Sequence, residues 1–372
     1  MNLSETLQNL SESGNLRTIP ADRTSDSGTV DFSSNDYLGL GNLTIADLSD
    51  EYPELLTARM TSSASRLLAG DQRHYLELES LLEEKYGRNV LMFNSGYHIN
   101  TGILPAIADR STLILGDKLI HASLIDGLIL SRCDFRRFPH NDLDTLERMV
   151  SEAPEKYNRI IVVVESVYSM DGDSPDLEHL LAIRRRYPRV MLYVDEAHAF
   201  GVEGPEGLGM VAATSAPDEF DIVIATLGKA AASFGAFAVT SDEIKRFLVN
   251  RSRSFIFSTV FPPAQAVWTR AILHKIFTAD ARRSHLKALG IRLHAALEAA
   301  PGQATPTPSH IQALITGDAA KAVSLSQRLR KQGLVVLPIR TPTVPAGTER
   351  LRISLSASMT EADIEKLSNA LR

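Results

Sequence analysis

An aspartate at the end of an apolar run, a histidine three residues later and a lysine closing another such run are the residues whose types first suggest chemistry. The segments are VMLYVDEAHAFG, with Asp195 and His198, and DIVIATLGKA, with Lys229. If the apolar runs are strands, all three fall at strand ends, where open α/β sheets collect their ligands. Each also has an ordinary reading: a capped strand end with a hydrogen-bonded histidine, and a solvated surface lysine, since burying an ammonium is costly. The neighbours of the lysine argue otherwise. Thr226, Gly228, three alanines and SFGAFAV compose what resembles the wall of a packed pocket, and an amine in an apolar pocket has a lowered pKa and is nucleophilic. The letters DEAH also occur in ATPases that translocate along nucleic acid, where the acidic pair handles magnesium. Those enzymes require an upstream G-x-x-x-x-G-K-[ST] loop to cradle phosphate. Here the Gly228–Lys229 pair lies downstream of the acidic motif and is followed by alanine, so neither the order nor the ligand chemistry fits.

In company, these residues supply the parts that pyridoxal phosphate requires: a lysine for a Schiff base, an acid against the pyridine nitrogen, an anion site and groups that orient the ring. Asp195 suits the acid, and His198 is placed to reach the ring hydroxyl. For the phosphate, NSGYHIN follows the apolar run VLMF and opens a helical stretch, so the backbone amides at Gly96 and Tyr97 would point at an anion. A glycine there is by itself only a turn.

The elements that must hold these residues are legible as a pattern. The runs VLMF, TLIL, IIVVV, VMLYV and DIVIA alternate with helical stretches at intervals that suit crossovers, which predicts a mostly parallel central sheet covered by helices. Tyr75, Leu78, Leu82 and Tyr86 mark a helix face that Gly87 ends; Leu177, Leu180 and Leu181 mark another that Pro188 closes. Beyond about residue 265 the order becomes helix, strand HIQALI, helix, strand LVVLPI, strand LRISLS and a last helix opened by a Thr360–Asp363 capping box. The expected organisation is an N-terminal arm over 1–45, a large α/β domain over 46–265 and a smaller α+β domain over 266–372.

Composition narrows the class. With 372 residues and 44% apolar side chains the chain can bury a substantial core. Lys plus Arg number 39 against 45 Asp plus Glu, so no basic footprint favours a nucleic-acid partner. Cys133 is the only cysteine and has no internal partner for a disulfide or a metal pair. The N-terminal MNLSETLQNL has neither a basic start nor an apolar core, and the run from Ala230 to Val239 is too short to span a bilayer. A cytoplasmic protein, away from membranes, is the expectation.

Over nearly its whole length the sequence resembles the α-oxoamine synthase family. The resemblance is carried, in family order and spacing, by FSSNDYLGL, SSASRLLAG, FNSGYHIN, DKLIHASLIDG, FPHNDLDTLE, ESVYSMDGD, VDEAHAFG, TLGKA, FSTVFPPAQ and PTVPAGTERLRIS. It implies a fold-type I pyridoxal-phosphate-dependent transferase that joins an amino acid to an acyl thioester with loss of carbon dioxide. By position it makes Lys229 the cofactor lysine and catalytic base, Asp195 the partner of the pyridine nitrogen, and His198 and Ser169 ligands of the ring hydroxyl. It makes Gly96 and Tyr97 cofactor contacts, Thr226 a phosphate ligand and His121 the residue stacked on the ring. Arg352 would bind the amino-acid carboxylate, with Arg17, Asn35 and Thr343 also on the substrate side. Ser258 and Thr259 match a segment that reaches the cofactor phosphate of a partner subunit, so a homodimer with its active site at the interface is implied. PTVPAGTERLR and the short chain favour those members that condense L-alanine with a pimeloyl thioester, of coenzyme A or of acyl carrier protein, in biotin biosynthesis. Members using glycine and acetyl coenzyme A are the alternative. Three departures stand out: Ala232 where glycine is usual, Ala199 where Ser or Gly is usual, and few glycines before SSASR.

Overall fold

The computed structural model describes residues 2–12, 15–17, 19 and 28–372. Contacts divide the chain into two units. The larger holds Leu38–Tyr168 and Ser174–Arg283; the smaller holds the described residues up to Tyr37, together with Ser169–Asp173 and Ser284–Arg372. The last passage of the chain between the units falls at 283/284, and helix Pro263–Phe277 stays with the larger unit, packed on helix Arg73–Tyr86.

The larger unit is built on seven strands: β1 (Asn89–Phe93), β2 (Thr112–Asp117), β3 (Asp134–Phe138), β4 (Arg159–Glu165), β5 (Val190–Asp195), β6 (Ile222–Thr226) and β7 (Ala236–Thr240). Their order is β1-β7-β6-β5-β4-β2-β3. Neighbours are parallel from β6 through to β3, while β7 runs antiparallel to both β1 and β6. The five apolar runs of the sequence are five of these strands. Two strands lack such a signal. β3 is DFRRF, largely exposed, which suits a polar edge. β7 is the AFAV of the supposed pocket wall, buried at every residue, so the small side chains line an interior strand.

Local signals set the helix ends. Gly87 adopts φ 64° and caps helix Arg73–Tyr86, the left-handed geometry that glycine takes without cost. Ser95 opens α1 (Gly96–Ile107), its side chain accepting from the amide of His98. His121 caps α2 (Ala122–Ser131). Both helices bury apolar faces with β1, β2 and β4 in one cluster that includes Leu91, Ile103, Leu124 and Ile161.

The smaller unit carries a four-stranded antiparallel sheet, β8 (Gln303–Ala304), β9 (Ile311–Ile315), β10 (Leu337–Ile339) and β11 (Arg350–Ser354), in the order β10-β11-β9-β8. The expected strand LVVLPI divides: Leu334–Val335 pairs in parallel with Val30–Asp31, whereas β10 pairs with β11. The last helix, Glu361–Leu371, opens with the Thr360–Asp363 capping box. Among the described residues no helix is long and apolar enough to cross a membrane.

Candidate active site

Parallel register brings the chemistry of the larger unit to one edge. Glu165 and Asp195, the last residues of β4 and β5, lie side by side, and Asp195 is paired with Ile224 of β6. The chain leaving β6 turns tightly, with Leu227 N–H donating to Gly235 O and Ala232 N–H to Lys229 O at 2.9 Å each. That turn presents Lys229, whose Nζ stands 2.8 Å from His198 Nε2. Ala232 holds φ 41° within it, the region where glycine is at ease and other residues are strained. The departure from the family's usual glycine is therefore a strained position.

Asp195 is 4% exposed and accepts at both oxygens, from Ala197 N–H at 2.9 Å and from Asn100 Nδ2 at 3.0 Å. Glu165 is equally buried, and its Oε1 accepts the backbone N–H of His121 at 2.5 Å. Burial, reinforced by the charge of Asp195, pushes the Glu165 carboxyl up to about 8; Lys229 and the His121 amide pull the other way. His121 keeps an exposed side, yet the protein around it lowers its pKa below the usual imidazole value, Lys229 adding to the effect and Asp195 opposing it.

At the start of α1, Gly96 faces Thr226. A Cβ placed on Gly96 would sit 3.6 Å from Thr226 Cβ, so a side chain there would begin to fill the space between the helix N-terminus and the end of β6. Thr226 Oγ1 donates to Gly235 O at 3.3 Å. Tyr97, half exposed, bonds its hydroxyl to Asp126. Ser258 and Thr259 lie against Asn94, which precedes this helix: Asn94 Nδ2 donates to Ser258 Oγ at 3.0 Å and to Thr259 O at 2.6 Å.

The smaller unit gathers the substrate-side residues. Arg352, on β11 and 5% exposed, donates from Nε to Ser169 O (2.6 Å), from one terminal nitrogen to Ser354 Oγ (2.6 Å) and from the other to Asn35 Oδ1 (3.2 Å). Asn35 also accepts from the hydroxyl of Tyr37, which burial raises to about 12 although Arg352 opposes the shift. Arg17 donates to Thr343 Oγ1 at 3.2 Å; both line a cavity of about 1140 Å³ with Leu7, Leu10, Val336 and Leu337.

Thus the structure brings Lys229, His198, Asp195, His121, Gly96 and Thr226 together within the larger unit, and Arg352, Ser169 and Asn35 within the smaller. Sequence reasoning missed Glu165, Asn100 and Ser123. Glu165 and Asn100 carry a local mark, a carboxylate closing the all-apolar run RIIVVVE and an amide in the otherwise apolar face of α1, but nothing local marks Ser123, and the partners of all three are set by the fold.

The donor set fits pyridoxal phosphate. An amine, a buried acceptor-only carboxylate and a helix N-terminus with room at Gly96 are the complement of an aldehyde, a pyridinium and a phosphate. A mostly parallel sheet bearing such a site, with a second antiparallel sheet in a smaller unit, is the fold-type I transferase architecture. The chain belongs to the aminotransferase class I and II family, whose profile matches residues 27–371. Among its relatives is the 8-amino-7-oxononanoate synthase of Haemophilus ducreyi, 45% identical, the match covering 91% of this chain and 89% of that one. A Pasteurella multocida protein provisionally given the same name is 46% identical over 92% and 89%. Serine palmitoyltransferase from S. paucimobilis, solved with bound PLP–myriocin aldimine, superposes with a TM-score of 0.90 at 28% identity over 99% of this chain and 95% of that one.

Proposed function

We propose that the chain is a pyridoxal-phosphate-dependent acyltransferase that condenses L-alanine with a pimeloyl thioester, releasing carbon dioxide and the free thiol and forming 8-amino-7-oxononanoate for biotin biosynthesis. The observation that carries this reading is the convergence of Lys229, His198 and Asp195 at neighbouring strand ends beside the N-terminus of α1, in a chain 45% identical to a synthase of that name. Bound pyridoxal phosphate supplies an electron sink for the α-carbon of the amino acid.

The residues divide the remaining tasks. Asp195, an acceptor at both oxygens, would be the partner of the pyridine nitrogen and favour its protonated form. Lys229 Nζ takes the α-proton of alanine and later returns one to the same carbon. His198 Nε2, already at 2.8 Å, receives the hydrogen bond of that amine while it is charged, and with Ser169 reaches the ring hydroxyl. The amides at Gly96 and Tyr97, together with Thr226, bind phosphate, and Ser258 and Thr259 serve the phosphate of the partner subunit in a homodimer. Arg352 pairs its planar fork with the alanine carboxylate. Asn35, Arg17 and Thr343 contact substrate, and His121 covers the ring face. The enzyme works in the cytoplasm.

The test is a product assay pairing alanine or glycine with pimeloyl, acetyl and succinyl thioesters. Alanine with the pimeloyl thioester should give the highest kcat/KM, preferred over glycine by a finite factor, because one methyl in an apolar site is worth about 1 to 3 kcal/mol. Highest kcat/KM for glycine with acetyl coenzyme A would overturn the assignment.

A further inference from the structure

A chain of buried hydrogen bonds runs from Asp195 to His121, and its polarity is fixed at both ends. Asn100 is 1% exposed in the interior of α1. Its Nδ2 lies 3.0 Å from Asp195 Oδ2 and 3.0 Å from Ser123 Oγ, while its Oδ1 lies 2.7 Å from Tyr193 OH. A carboxylate accepts only, so the atom of Asn100 facing Asp195 is the amide nitrogen, and Tyr193 must donate to the amide oxygen. The second hydrogen of that nitrogen goes to Ser123 Oγ. That bond uses one of the two lone pairs of the Ser123 hydroxyl, whose own hydrogen finds an acceptor in His121 Nδ1, 2.7 Å away.

A second donor meets the same atom independently. The backbone N–H of Ser123 points at His121 Nδ1 at 3.2 Å, and a backbone N–H cannot accept. From the other side, Glu165 fixes the backbone of His121 through its amide. Two donors converging on Nδ1 leave it room only for a lone pair, so the ring proton of the neutral imidazole sits on Nε2.

We infer that Asn100 and Ser123 are positioning residues that hold His121 as the neutral Nε2–H tautomer, committing it to act as a hydrogen-bond donor through Nε2. This rests on the reaction proposed above, in which a donor over the ring would polarise the carbonyl oxygen of the acyl thioester and stabilise the oxyanion that forms as the new carbon–carbon bond closes. The same wiring disfavours the imidazolium, whose Nδ1–H would oppose the Ser123 amide. The ionisable groups facing His121 are Asp195 and Asp126, which favour the cation, Lys229, which disfavours it, and the Glu165 carboxyl at its backbone.

The test is histidine-selective 15N NMR of the holoenzyme, with the His121 signals assigned by their loss in His121→Asn. In the wild-type protein Nε2 should resonate as a protonated nitrogen and Nδ1 as a bare acceptor. Ser123→Ala, which removes one of the two donors, should increase the Nδ1–H or doubly protonated population and move the acid limb of kcat upward by up to about one pH unit, as loss of one hydrogen bond implies. It should lower kcat by on the order of tenfold with little change in KM for alanine. A merely structural role for Ser123 would leave tautomer and pH limb where they are. A proton on Nδ1 in the wild-type protein overturns the inference whether or not any variant folds, and so does an unmoved tautomer in well-folded Ser123→Ala. Neither result touches the reaction, which the product assay judges separately.

Discussion

Glu165 should make the cofactor-free fold lose stability as pH rises, and Glu165→Gln should abolish that loss. The carboxyl is 2% exposed, and its value is raised from 4.5 to about 8 by burial first and by the Asp195 charge second. A group that binds its proton more tightly when folded stabilises the fold fully below the unfolded value and loses that contribution as pH climbs to the folded value. Each unit of the interval corresponds to about 1.4 kcal/mol. Between about pH 5.5 and about pH 7.5 the wild-type protein should therefore lose stability on the order of a few kcal/mol that the variant does not, and the loss should level off once pH exceeds about 8. Glutamine keeps a carbonyl oxygen for the His121 amide, so any fixed offset from its second hydrogen-bonding group is common to all pH values. The assay is urea unfolding of both cofactor-free proteins across that interval, read as the difference between them. A difference that stays constant with pH, or that widens in favour of glutamate as pH rises, would mean that the fold does not hold a proton on Glu165.

Arg352→Lys removes the fork that holds Ser169, Ser354 and Asn35 at once and should reduce kcat/KM for alanine on the order of 100-fold; steady-state kinetics should place most of that loss in KM. Ala232→Gly exchanges about 1 kcal/mol of left-handed strain for a smaller entropic cost, so a small rise in Tm is expected, and a fall of several degrees would mean that the methyl packs usefully. Mixing Lys229→Ala chains with Thr259→Ala chains should restore about one working site per heterodimer if Thr259 serves the partner; well-folded mixed dimers without recovery would confine that segment to its own chain.

What could be read from the sequence was whatever is encoded within a few residues. The Gly87 cap, the Thr360–Asp363 box and the five apolar strands follow from local backbone and burial preferences. Lys229, Asp195 and His198 were legible because strand ends in an α/β sheet converge. Features set by distant partners were hidden. LVVLPI looks like one strand, yet its two halves choose different neighbours, Val30–Asp31 and β11. AFAV follows directly on the run of alanines and glycine after Lys229 and so does not stand out as a separate interior strand, and DFRRF carries an edge strand's charges. Asn100, Ser123 and Glu165 come from α1, α2 and β4, and only the fold brings them to Asp195 and His121.

Borohydride reduction of the purified holoenzyme, followed by digestion and peptide mapping, bears most directly on the claim that Lys229 carries the cofactor. The protein should be yellow, bleach on reduction and yield a pyridoxyl group on the peptide containing Lys229, with no such adduct in Lys229→Ala. A protein that stays colourless with added pyridoxal phosphate, or a pyridoxyl group fixed on a different lysine, would contradict it.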